Sequence, residues 1–208
     1  MTTLHRLLLV LLASALGVLG YLWYHPHFFT PAKTLYERGL VEQQKGMGSD
    51  VLNQTGLKEA AHYFELAIGK GYTSRAVFAN LYWCYLKMYD GPPVDTALSR
   101  GLAHYPADQE FWCRRADARL ERGEFESALE DFDRGLRLPA TYEHLSSAFY
   151  GRGAAKYMLG QKQEAEKDRT RAQRLSGDSL RTYEDYCKLF KQRLLISKRC
   201  PFTFGPFS

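Results

Sequence analysis

The chain has 208 residues, a formal net charge of +5, 45% apolar residues and 25% charged ones. That composition excludes a disordered polar chain, and the length suits one domain with a continuous core. Lys and Arg alternate with Asp and Glu through the middle, and the basic excess, from Arg169 to Arg199, reads as a solvated helix face, with contact to anionic lipid headgroups or to an acidic partner as the sharper alternatives. No basic stripe interleaved with aromatics appears, which argues against nucleic acid as a partner.

Leu7 to Tyr24 is an almost unbroken apolar run, with Ser14 as its polar interruption. At about 1.5 Å per residue it reaches about 27 Å, enough for a hydrocarbon core. Tyr21, Trp23 and Tyr24 gather at its far end, where aromatic rings favour the headgroup layer. The run predicts an amino-terminal membrane anchor over residues 1–24 with one transmembrane helix, then a linker over 25–33 broken by Pro26 and Pro31. A cleaved signal peptide is the competing reading, because Ala13-Ser14-Ala15 has the form of a cleavage site. Cleavage there would leave an apolar new terminus from Leu16, which favours the uncleaved anchor. Arg6 before the run then places the bulk of the chain on the non-cytoplasmic side, in a periplasm or lumen.

From Thr34 the sequence repeats. Trp112, Ala116, Gly123, Ala128, Phe132 and Gly135 shift by 37 onto Phe149, Gly153, Gly160, Ala165, Arg169 and Ala172. A backward shift of 34 carries Trp112, Phe132, Gly135 and Leu136 onto Phe78, Leu98, Gly101 and Leu102, and a second one reaches Phe64, Ala67 and Ile68. Small residues recur where two helices must approach, and glycine recurs at the turn between them. The first copy carries an insertion, since Leu35 and Gly39 lie 43 before Phe78 and Tyr82. The extra residues fall in Lys45 to Gly56, rich in Gly, Ser, Asp and Asn, which reads as a loop. Arg115 and Asp131 are sixteen apart, as are Arg152 and Asp168, in the same places of successive copies. These spacings predict structural ion pairs that bridge the two helices of a hairpin.

An aromatic, a small residue, a glycine, then an alanine and an aromatic at a 34-residue period resembles the tetratricopeptide (TPR) repeat family. The resemblance covers about residues 34–176 in about four copies. It implies an all-α, right-handed α-α solenoid of TPR-like helical hairpins. In that family the first helix of each hairpin lines a concave groove. Carried over copy by copy, the lining places are Tyr36 and Leu40; Ala79, Trp83 and Leu86; Cys113, Asp117 and Leu120; and Tyr150, Ala154 and Tyr157. Such an apolar, aromatic groove suits a peptide or helix of a protein partner, although the same residues could pack between helices instead. The lysine–asparagine clamp that grips acidic chaperone tails is absent: Leu40, Asp117 and Ala154 stand at the asparagine place.

After Gly177, an apolar stripe of Leu180, Tyr183, Cys187, Phe190 and Leu194 predicts a capping helix for the open end of the solenoid. It opens a region of residues 177–208 that ends in a Phe/Pro-rich tail, where Phe202, Phe204 and Phe207 form a second candidate contact. Cys84, Cys113, Cys187 and Cys200 make no C-x-x-C pair, so the redox compartment stays open. No nucleophile elbow, phosphate loop or zinc spacing is present, and no metal, cofactor or catalytic residue is expected; His25 and His27 flanking Pro26 lack further ligands. The expected function is a membrane-tethered adaptor or assembly factor. A permanent structural subunit of a large membrane complex is the alternative, and an enzyme with an unrecognised site is a third.

Overall fold

The computed structural model describes residues 11–20, 27–48, 53–88, 94–139, 144–177 and 179–184. Eight helices with described bounds follow one another: α1 (Ala32–Met47), α2 (Gln54–Gly69), α3 (Arg75–Lys87), α4 (Val94–His104), α5 (Gln109–Arg122), α6 (Phe125–Arg137), α7 (Leu145–Met158) and α8 (Lys162–Ser176). Each packs on the next, and first helices of adjacent hairpins also meet, α1 on α3 and α5 on α7. This is a helical solenoid in which order along the chain becomes order in space.

The turns have local causes. Gly123 takes a left-handed conformation at φ 81°, and the N–H groups of Gly123 and Glu124 return to the carbonyls of Leu120 and Arg119. The same closure recurs 37 residues on at Gly160, where φ is 83°. Asp108 caps α5 by accepting from the Phe111 N–H at 3.0 Å, and Asn53 caps α2 through the Gly56 N–H at 3.3 Å. The buried core falls into two stretches. One is built on Phe64, Phe78, Leu81, Leu98 and Phe111, the other on Cys113, Phe132, Ala154, Ala165 and Tyr183. Each fully buried Phe or Leu contributes about 1.5–3 kcal/mol.

The stretch expected as a loop, Lys45 to Gly56, is partly helical. α1 runs on to Met47, three residues further than α3 relative to their shared places, and α2 already begins at Gln54, so both helices take up residues of that stretch. Two glycines permit it. A Cβ on Gly56 would lie 3.0 Å from the Gly46 nitrogen, and one on Gly46 would lie 2.9 Å from Leu57. The backbones touch where side chains would hold them apart, and the favourable packing overrides the loop-like composition.

Residues 11–20 are helical, and all ten are exposed. Among the described residues no helix is long and apolar enough to cross a membrane. The finding overturns the expected transmembrane helix over Leu7–Tyr24, and with it the membrane localisation and the placement of the bulk of the chain on the non-cytoplasmic side.

Candidate functional site

Leu40, Trp83, Asp117 and Ala154 hold the same place in the four copies and make a row across the first helices. Leu40 and Leu86 are exposed, at 37% and 38%. Trp83 is half-buried, and the Arg114 guanidinium lies over its ring at 4.9 Å and over the Tyr82 ring at 5.5 Å. Tyr36 stacks on Tyr72 at 4.9 Å and accepts from the Asn80 amide at 3.2 Å; Ala79 is half-buried beside it in the row. Cys113, Leu120 and Ala154 are buried, so these three lining candidates belong to the core. Cys84 is buried too, and burial pushes both thiols up to about 12, which keeps them inert at neutral pH.

The fourth copy is already occupied. Tyr183 is buried, with its ring 5.0 Å from that of Tyr150 and 6.0 Å from that of Tyr157. Its hydroxyl donates to the Tyr150 carbonyl at 3.1 Å, while the Tyr150 hydroxyl donates to the Arg181 carbonyl at 3.1 Å. Tyr150 and Tyr157 therefore hold the chain's own segment after Gly177. Of the predicted capping stripe, Cys187, Phe190 and Leu194 lie outside the described residues, as do Phe202, Phe204 and Phe207.

Behind this face, Arg115 grips the buried Asp131 through Nε at 2.8 Å and Nη2 at 2.9 Å, and its Nη1 donates to the Ser99 hydroxyl at 3.0 Å. In the next copy Arg152 grips the buried Asp168 at 2.8 and 2.5 Å and reaches Asp133 at 3.0 Å. Each arginine thus ties its own hairpin to the second helix of the hairpin before. Sequence reasoning missed two further cations. Arg119 lies 2.9 Å from Asp131, and Lys156 donates to Asp168 at 2.8 Å. The 37-residue shift that relates the two arginines also relates Arg119 to Lys156, and would have found them.

Asp117 differs from the other acids. No hydrogen bond or ion pair reaches it among the described residues, although Arg114 is on the same helix, because Arg114 donates to Glu110 at 2.6 Å. Burial, and then the charge of Glu121 one turn on, push its carboxyl up to about 7. It lies on a cavity of about 230 Å³ lined also by Leu120, Ser146, Ser147, Tyr150, Gly151 and Leu180. Between about pH 3.8 and 7 the folded chain keeps a proton there that the unfolded chain has released. Asp117 therefore lowers stability progressively as pH rises through that window, and most above it. Asp117→Asn is expected to raise unfolding free energy by about 1–3 kcal/mol at pH 8 and by little at pH 4. Denaturation of both chains across this range checks it; a gain independent of pH would refute the assignment.

His27 packs edge-on against Tyr63 at 5.3 Å, and His25 lies outside the described residues. Among the described residues no three His, Cys, Asp or Glu side chains converge.

Stacked helix pairs with glycine-closed turns and a small-for-large fit between neighbours define a TPR-like helical repeat protein. Solved structures that share the fold are of MamA, itself a TPR-like helical repeat protein. The structure described as "Crystal structure of MamA" matches with a TM-score of 0.58 at 16% identity, over 76% of this chain and 84% of that one. "MamA MSR-1 C2" matches at 0.54 and 16% identity, over 70% of this chain and 77% of that one. At that identity the likeness shows the fold alone. No protein-family model matches the sequence, and no curated protein matches it.

Proposed function

We propose that this chain is a non-catalytic adaptor or scaffold that takes a segment of a partner protein along the face of its first helices. The observation that carries the reading is the pair Leu40 and Leu86, left exposed on α1 and α3 beside the half-buried Trp83. Leu35, Leu57 and Leu81 are completely buried, whereas these two keep more than a third of their surface open on the same face. The solved TPR-like structures with the same fold support the scaffold class. The groove runs over the first three copies, since the fourth holds Tyr183. Phe202, Phe204 and Phe207 offer a second contact to the same partner.

The test compares the tagged full chain with Leu40→Asp/Leu86→Asp after mild purification. Both sites are exposed, so the variant is expected to keep its stability within about 1 kcal/mol. A near-stoichiometric protein that copurifies with the first chain and is lost from the second supports the groove. A partner retained by both moves the contact to the tail or the opposite face.

A further inference from the structure

The geometry points to the Asp117 cavity as a receptor for one basic side chain, lysine or arginine, of the partner segment. The inference rests on the groove reading and deepens it. Asp117 stands in the same row as Leu40 and Trp83, so a segment that crosses those residues reaches it next. The cavity, about 230 Å³, lies below the range of about 300–1,000 Å³ that takes drug-sized ligands, and suits a single side chain. Its lining is divided. Leu120 and Leu180 can cover an aliphatic stem, while Asp117 and the hydroxyls of Ser146 and Ser147 can receive a charged head.

Arg114 acts on the charge of Asp117 only through its field, with no hydrogen bond or ion pair to it among the described residues. No lysine, arginine or histidine lines the cavity among the described residues. On α5, Arg114 is drawn to Glu110 and to the rings of Tyr82 and Trp83, and Glu121 adds a second negative charge. From α7 the titratable group facing Asp117 is Tyr150, and the segment after Gly177 contributes Leu180. Gly151 keeps the carboxylate accessible, since a Cβ there would come within 3.2 Å of Asp117 Oδ1. A divalent cation fits poorly, because it takes six or more oxygen ligands and two carboxylates on one helix supply too few. A cationic side chain restores to Asp117 the partner that Arg114 does not give.

The experiment selects random twelve-residue peptides on the full chain, on Asp117→Asn and on Leu40→Asp/Leu86→Asp. The expected result on the full chain is an apolar motif with lysine or arginine at one fixed position. Asp117→Asn should keep the apolar part and lose the basic preference, with affinity for the selected peptide down about 10- to 100-fold. With Asp117 near half-ionised at neutral pH, that peptide should bind about ten-fold more weakly at pH 6 than at pH 8. Its lysine-to-methionine analogue should show no such dependence. Peptides with an apolar motif and no basic position, or a basic position unchanged in Asp117→Asn, overturn this inference and leave the groove standing. Peptides that bind the Leu40→Asp/Leu86→Asp chain equally, or none from any chain, overturn the groove reading together with it.

Discussion

Asp131→Ala lowers the free energy of unfolding by about 3–5 kcal/mol, because it leaves two half-buried cations without their buried anion. Asp131 is 2% exposed and answers two positive charges, Arg115 through paired hydrogen bonds and Arg119 at 2.9 Å. The second copy shows what the solenoid does without the pair. At the places of Arg115 and Asp131 it has Leu81 and Ala97, both fully buried. Arg115→Leu with Asp131→Ala rebuilds that apolar contact in the third copy and recovers most of the loss, since apolar packing commonly replaces a buried ion pair at little net cost. Urea denaturation of the single variant, the double variant and the parent chain measures it. A double variant as unstable as the single one would move the penalty to Arg119, whose side chain would then be the stranded charge.

Tyr183→Ala lowers stability by about 3–5 kcal/mol, in the range of large aromatic truncations in a core, although it lies beyond the last repeat. Its ring is fitted against Gly153, where a Cβ would approach Tyr183 Cζ to 2.5 Å, and is enclosed by Tyr150 and Tyr157. Tyr183→Phe removes only the hydroxyl bond to the Tyr150 carbonyl and costs about 0.5–1.5 kcal/mol. Because a solenoid is stabilised by nearest-neighbour interfaces, the loss starts at the open end. Hydrogen exchange should therefore quicken in α7 and α8 before α1 to α4. Gly153→Ala should give the same order by displacing the ring. Uniform acceleration along the chain would show that the segment after Gly177 does not act as an end cap.

Much of the helical solenoid was legible in the sequence, for a local reason. Spacing along a helix fixes which residues share a face, and glycine alone takes a left-handed turn without strain. Gly123 and Gly160 mark equivalent turns, and the sixteen-residue spacing of Arg115 to Asp131 and Arg152 to Asp168 sets charges on facing helices. Burial and partnership are not local, and there the sequence misled or was silent. Lys45 to Gly56 looks like a loop by composition, yet Gly46 and Gly56 let two longer helices close on each other. Cys113, Leu120 and Ala154 hold groove places by register, yet they are buried in the core. The apolar run from Leu7 to Tyr24 has the hydropathy of a membrane helix, but among the described residues no helix is long and apolar enough to cross a membrane.

The sequence by itself determined the repeat, its turns and the register of its charges, because helix periodicity is written in consecutive residues. Only the tertiary structure decided that Tyr183 fills the fourth copy, that Arg114 turns to Glu110, and that Asp117 lies on a cavity whose lining, among the described residues, holds no cation. Each of those outcomes depends on which distant side chains the stacked helices bring within contact, and on the water they exclude in doing so.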